Sequence, residues 1–352
     1  MIAPPASPRP HAKFELPAGL EAALPPERRG LSRDGVRLLV ASPTGLSHHR
    51  FSDLPQLLEP GDLVVVNTSA TLPAALTAGD ANGRRIGVHV SGWLDDTTWM
   101  VEVRRAGNGG PDLGVRRADA FHLPAGITLT VASAYPDPTA VVSRLWRVSV
   151  SPPTELVAYL SEHGHPIVYR HSFSATPLSD YQTVYAEQPG SAEMASAGRP
   201  FTTNVLRRLT SAGVTVAPIT LHAGVSSPEF HEPPAPERYS VPAHTARLVA
   251  ATRDAGGRVV AVGTTVVRAL ETVAGVDGDI RGASGWTDLV LGPGRPARVV
   301  TGLVTGLHLP ESSHLLLLEA VAGPSLVCSA YAAAIEAGYL WHEFGDSMLF
   351  LP

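Results

Sequence analysis

The chain has 352 residues, 44% hydrophobic and 17% charged, with a formal net charge of −5. That balance excludes a fibre or a disordered tail and describes one large or two ordinary globular domains. A single cysteine, Cys328, excludes a disulfide framework and a cysteine-built zinc or iron–sulfur site, and Lys13, the sole lysine, excludes a Walker phosphate loop and Schiff-base chemistry on an ordered amine.

Met1 to Pro10 contain four prolines and no apolar run, so neither a signal peptide nor a membrane span is expected, and a cytoplasmic protein is. Residues 1–13 are expected to be disordered, with structure beginning at Phe14-Glu15-Leu16-Pro17. Residues 51–66 read as a short helix, a turn at Pro60-Gly61 and a buried β-branched strand from Leu63 to Val66. From 71 to 152 short alternating runs (Arg85 to Val90, Thr98 to Val103, Ile127 to Ala132, Leu145 to Val150) are separated by turn residues, the pattern of a small all-β, barrel-like domain. From Pro153 onward helical patterns (Thr154 to His163, Thr203 to Ala212, Ala243 to Ala255) alternate with apolar strands (Val214 to Ile219, Arg258 to Val262). The expected architecture is α/β: a larger α/β domain over 14–70 and 153–352, with the barrel-like segment 71–152 inserted into it.

Residues 75–152 hold eight arginines and seven acids, about +1, which leaves −6 for the rest. The pairs Arg84-Arg85, Arg104-Arg105 and Arg116-Arg117 suit either phosphate contacts or a solvated surface.

Three strand ends carry groups suited to chemistry. In Val262-Gly263-Thr264-Thr265, followed by the helical stretch through Arg268 and Glu271, the turn and the N–H groups of a starting helix can hold an anionic or polar ligand, or the threonines simply cap the helix. Thr220-Leu221-His222-Ala223-Gly224 and Gly306-Leu307-His308-Leu309-Pro310 each place a histidine after an apolar run (Val214 to Ile219; Val299 to Val304), as a general acid or base or as a satisfied core residue. The Gly/Ser/Ala-rich stretch from Tyr181 to Thr202 suits close backbone approach to a ligand or an ordinary surface connection. Gly345-Asp346 follows an aromatic cluster, as a ligand carboxylate or a turn. His163-Gly164-His165 lacks a third clustered ligand, so no metal site is expected. Cys328 falls in a helical stretch, Ser325 to Ala337, as a core residue.

In their joint order these segments resemble the S-adenosylmethionine:tRNA ribosyltransferase-isomerase family of queuosine biosynthesis. The resemblance runs from Phe14 to Leu349 through Pro60-Gly-Asp-Leu63 with Asn67, Tyr181-Gln182-Thr183-Val-Tyr185, Ala197-Gly198 with Phe201-Thr202, Thr220-Leu-His222 with Gly224, Val262-Gly-Thr-Thr265 with Arg268, Gly285-Trp286-Thr-Asp288, and His308-Leu-Pro310. It implies transfer and isomerisation of the ribosyl part of S-adenosylmethionine onto the aminomethyl-7-deazaguanine of tRNA, giving epoxyqueuosine and releasing adenine and methionine. No cofactor is implied beyond S-adenosylmethionine as substrate; tRNA is the implied partner. Under that reading His308 is the expected proton-transfer group, His222 the second choice, and Glu237 or Asp346 would bind polar or cationic groups. Asn67, Gly263, Thr264, Thr265, Arg268, Trp286 and Asp288 would shape the substrate pocket, with Tyr181, Gln182, Thr183, Gly198 and Gly224.

The chain departs from the family pattern at several of these motifs. Asn67-Thr-Ser-Ala-Thr-Leu-Pro-Ala-Ala75 lacks an acid and two arginines of the usual Asn-Asp-Thr-Arg-Val-x-Pro-Ala-Arg, and Gly198-Arg-Pro-Phe-Thr202 lacks a histidine. Pro233-Pro-Ala-Pro-Glu237 lacks the usual His-x-Glu, and Gly306-Leu-His308-Leu-Pro310-Glu311 replaces Asn-Phe-His-Leu-Pro-Lys. Alanine and proline cannot hold a phosphate or move a proton. The alternatives are therefore a diverged paralogue that uses S-adenosylmethionine with a non-tRNA acceptor, or a non-catalytic S-adenosylmethionine-binding protein.

Overall fold

The computed structural model describes residues 9–107, 109–168, 176–226, 235–341 and 343–352. The chain forms an antiparallel hairpin, β1 (Arg37–Ser42) and β2 (Gly45–Arg50), then α1 (Leu54–Leu57) and β3 (Leu63–Asn67). A short strand, β4 (Ser69–Thr71), precedes a six-stranded excursion: β5 (Ala75–Gly79), β6 (Arg85–Asp95), β7 (Thr98–Arg104), β8 (Ala120–His122), β9 (Thr128–Tyr135) and β10 (Leu145–Ser151). The chain returns through α2 (Leu156–His163), β11 (Gln188–Ser191), which pairs with β4, and α3 (Thr203–Ser211). Then come β12 (Thr215–Leu221), β13 (Glu237–Val241), α4 (Ala243–Asp254), β14 (Val259–Val262), α5 (Thr264–Val273) and β15 (Ala283–Thr287). The last elements are β16 (Gly302–Gly306), α6 (Ser313–Ala322), α7 (Pro324–Glu336) and β17 (Ser347–Phe350).

Nine strands make one sheet in the order β15-β13-β12-β3-β14-β16-β17-β1-β2. Its centre, β12-β3-β14-β16, is parallel, and the flanking strands β13 and β17 run against it. The β3 sequence Leu-Val-Val-Val-Asn is buried throughout, as a strand covered on both faces requires. Leu63 and Val65 join the core beneath α4 to α7, whereas Val64 and Val66 join the opposite core with Leu54 of α1 and Val205 and Leu209 of α3. The result is a three-layer α/β/α domain. Because its four central strands are parallel, their carboxyl ends emerge on one edge.

Strands β5 to β10 close into a barrel in the order β10-β7-β6-β5-β8-β9, filled by Val88, Val101, Leu129 and Val148 among others. In β10 the alternation of buried Trp146, Val148 and Val150 with exposed Arg147 and Ser149 gives the sheet its inner and outer faces. Arg104, half of one sequence-adjacent arginine pair, lies inside this domain: its guanidinium and that of Arg144 clamp the buried Glu102 carboxylate at 2.6 and 3.0 Å. Desolvation raises the Glu102 pKa, and the two arginines oppose the rise. Arg85, Arg105, Arg116 and Arg117 remain exposed.

Two local expectations need correcting. Residues 11 and 12 are anchored rather than disordered, since the backbone N–H groups of His11 and Ala12 donate to Glu319 Oε1 at 2.6 and 3.1 Å and Ala12 is buried; residues 1–8 lie outside the described residues. The apolar run at Val299 enters the sheet only at Gly302, because the N–H groups of Arg298, Val299 and Val300 donate to the Glu271 carboxylate instead of to a strand.

Candidate active site

A cleft of about 300 Å³ opens over the carboxyl ends of the parallel strands, where the barrel leans on the sheet. Ligands of open α/β sheets bind at this edge because loops from neighbouring strands converge there. The loop after β12 supplies His222 and Gly224, the turn after β14 supplies Gly263 to Thr265, and the loop after β16 supplies His308. Barrel residues Ser91, Trp93, Met100, Tyr135 and Arg144 form the facing wall.

His308 is held at several points. Its Nε2 lies 3.0 Å from Thr305 Oγ1, its backbone N–H donates to the Tyr331 hydroxyl at 3.0 Å, and its carbonyl accepts from Trp341 Nε1 at 3.0 Å. The ring stacks on His314, 4.6 Å between centroids and 2° from parallel. Burial, reinforced by His314, lowers the His308 pKa well below the ordinary histidine value, and burial with the charge of Arg268 lowers His314 to about 4. Both imidazoles are thus neutral near pH 7. A neutral ring can accept a proton, although the same burial makes it a weak base.

His222 sits on the barrel side. Its Nδ1 lies 2.8 Å from Ser69 Oγ, which lies 2.7 Å from Ser191 Oγ, which in turn accepts from the Ala223 N–H at 3.0 Å. This chain fixes the ring. Gly190 packs so closely that a Cβ there would stand 2.1 Å from His222 Nδ1, so glycine is required for the approach. Burial, with the charge of Arg238, lowers the His222 pKa to about 4.

Glu237 and Arg268 form a buried ion pair in the cleft wall. Glu237 Oε1 also accepts from the Gly224 N–H at 2.9 Å, while Arg268 donates to the Leu289 carbonyl at 3.1 Å and the Thr287 carbonyl at 3.2 Å. Burial raises the Glu237 pKa and Arg268 opposes it. This carboxylate holds Arg268 and the Gly224 loop. Gly263, at a φ of 90°, caps α5 and lets Thr264 and Thr265 meet the cleft.

Trp286 also lines the cleft, and the remaining expected site residues lie off its wall. Asn67 is buried and ties β3 to β12: its side chain donates to the Leu221 carbonyl at 2.8 Å and accepts from the Leu221 N–H at 3.0 Å, reaching Thr265 Oγ1 at 3.3 Å. Gln182 pins Thr71 through both of its backbone groups, at 3.0 and 2.8 Å. Tyr181 packs against Phe344, and Thr183 packs against Gly198 behind the cleft. Asp288 is exposed beyond the wall. Asp346 accepts from the Arg37 and Leu340 N–H groups and from the Arg37 guanidinium, all at 2.8 to 3.0 Å. Pro200 stands where the family pattern has histidine, and its neighbour Arg199 is buried against Glu27 and the Asp180 carbonyl.

Cleft residues that the sequence reading passed over include His314, Trp93, Arg238, Glu193 and Glu343. His314 was readable in part: Ser312 accepts from the His314 N–H at 3.3 Å as the cap of α6, which places position 314 in the first helical turn beside the His308 loop. Glu343 had no local signal; burial, then the Glu193 charge, pushes its carboxyl up to about 8.

The architecture is a three-layer α/β domain with an inserted closed barrel and a histidine-bearing cleft at the carboxyl strand edge. The chain belongs to the family whose model is described as queuosine biosynthesis protein, which matches residues 11–350. It is 38% identical to the S-adenosylmethionine:tRNA ribosyltransferase-isomerase of Moorella thermoacetica, over 96% of this chain and 98% of that one. The protein of the same description from Acidiphilium cryptum is 37% identical over 94% and 98% of the two chains, and that of a Nostoc species 34% over 95% and 91%. Among solved structures it is similar to the crystal structure of S-adenosylmethionine tRNA ribosyltransferase from Thermotoga maritima, at 29% identity and a TM-score of 0.54, covering 97% of this chain and 100% of that one.

Proposed function

We infer that the protein is an S-adenosylmethionine:tRNA ribosyltransferase-isomerase of queuosine biosynthesis. It transfers and isomerises the ribosyl part of S-adenosylmethionine onto the aminomethyl-7-deazaguanine of tRNA, yielding epoxyqueuosine, adenine and methionine. The observation that carries the reading is the cleft itself: it lies between barrel and sheet and presents a neutral, rigidly held His308 beside the α5 amino terminus. Relatives similar over nearly the whole chain bear the same description.

The sulfonium of S-adenosylmethionine withdraws electrons from the adjoining ribose carbon, so a weak base suffices to take a proton there. His308 is that base: it is neutral, its Nε2 is held by Thr305, and its ring is fixed by the stack on His314. His222, in the loop after β12 and facing Trp93 of the barrel, is the second proton-transfer candidate. The N–H groups opening α5, with Thr264 and Thr265, suit the carboxylate of the methionyl part. Arg268 and Glu237 position the wall rather than touch the reacting atoms, since their polar groups are taken up by each other and by backbone. Neither the geometry nor the relatives favour a different acceptor. Nucleoside analysis of tRNA bearing the aminomethyl base, after incubation with S-adenosylmethionine, should show epoxyqueuosine; an unchanged nucleoside would overturn the reading.

A further inference from the structure

At the mouth of the cleft three side chains form a platform that neither the core nor the proton-transfer groups require. Arg238 of β13 and Trp286 of β15 are direct partners in an antiparallel register, on the outward face opposite the buried Glu237 and Thr287 pair. Cross-strand partners stand about 5 Å apart at Cβ, close enough for an indole and a guanidinium to share one surface. The Arg238 guanidinium also lies over the ring of Trp93, 5.0 Å from its centroid, and that ring faces His222 at 6.5 Å. Trp93 comes from barrel strand β6, so the platform bridges the two walls of the cleft.

Trp286 is 44% exposed, and its neighbour Val290 is 45% exposed. A large indole left in water beside an apolar residue, at the rim of a cavity, marks a surface meant to be covered. Its companions narrow the occupant. Indole faces and an arginine plane together recognise unstacked nucleobases of single-stranded loops, because every base presents a π-face and the nearby phosphates favour positive charge. An aliphatic ligand gains little from an exposed guanidinium at this place.

We propose that Trp286, Arg238 and Trp93 form the stacking platform that receives an unpaired nucleobase of the acceptor RNA and presents it to the cleft. The proposal rests on the tRNA-dependent reading above and adds which residues hold the base. It separates the acceptor subsite, at the rim between β13, β15 and β6, from the donor subsite at the α5 amino terminus and His308.

The test measures two affinities on the full chain at one fixed salt concentration: a labelled RNA stem-loop with the target base unpaired in its loop, and S-adenosylmethionine alone. Trp286→Ala is expected to weaken stem-loop binding by about tenfold or more, the usual effect of removing one base-stacking aromatic. Trp286→Phe should recover most of that loss, and S-adenosylmethionine binding should stay near that of the unaltered protein in both. A fully paired duplex of the same length should bind the unaltered protein and Trp286→Ala alike. Unchanged stem-loop affinity in Trp286→Ala would overturn the platform while leaving the proposed activity standing. Loss of S-adenosylmethionine binding instead would also overturn it, by placing the donor there. Failure of the unaltered protein to bind RNA at all would overturn the tRNA-dependent reading and the platform with it.

Discussion

His308 and His314 lie ring on ring, 4.6 Å between centroids and 2° from parallel, in the wall of the cleft. Protonating either would set a charge against its neighbour in a buried place, so the pair stays neutral well below pH 6.5. One ring arises from the loop after β16 and the other from the first turn of α6, and Ser312, 3.0 Å from His314 Nδ1, steadies the second.

His308→Ala is expected to slow adenine release from S-adenosylmethionine by about 100-fold or more, the usual effect of removing a positioned general base. Single-turnover assays with saturating tRNA check this. A rate near that of the unaltered protein would move the proton transfer to His222.

The buried histidines contribute to the acid limit of stability. Their folded pKa values, about 4 for His222 and His314, lie below the unfolded value near 6.5, so the unfolded chain binds more protons between those limits. Stability contributed by their neutrality is full above about pH 6.5 and is lost as pH falls toward 4. His314→Phe, which keeps the stack but cannot titrate, should flatten the acid side of a plot of denaturant midpoint against pH. An unchanged slope would contradict the assignment.

Glu343 acts in the opposite direction. Its folded pKa of about 8 stands above the unfolded value near 4.5, so the folded chain binds the extra proton and loses stability as pH rises through that window. Glu343→Gln should therefore be relatively more stable than the unaltered protein above pH 8, as read by thermal unfolding across pH. Parallel curves would contradict it.

Arg268→Ala would leave the buried Glu237 carboxyl without its counter-charge, a loss of up to about 3–5 kcal/mol of folding stability by analogy with other broken buried pairs, less where the carboxyl takes up a proton. Replacing both partners with apolar residues should restore much of it. Urea unfolding of the single and double variants measures this directly, and a single variant as stable as the unaltered chain would show that the pair contributes no net energy.

The architecture was largely legible because its parts follow periodic rules. The β3 run of Leu63 to Val66 and the evenly spaced alternation from Arg85 to Val150 each specify a strand environment without knowledge of the rest. The strands β1, β2 and β17 were less legible: β2 is almost wholly exposed, and β17 sits between β16 and β1, the latter hundreds of residues away in sequence. In the site, strand ends located His222, His308 and the Gly263 turn because parallel topology gathers carboxyl ends on one edge. Asn67 and Asp346 are the kind of position sequence cannot resolve, because a polar residue in a motif reads the same whether it meets a ligand or a backbone amide. Trp93, Arg238 and Glu343 had no local signature at all, since their meaning comes from the barrel and sheet meeting across the cleft.

The central claim is tested most directly by incubating the protein with S-adenosylmethionine, with and without tRNA carrying the aminomethyl-7-deazaguanine, and following free adenine. Adenine release that requires that tRNA, matched by an equal gain of epoxyqueuosine, is the predicted result. S-adenosylmethionine binding with no adenine release under either condition would contradict it.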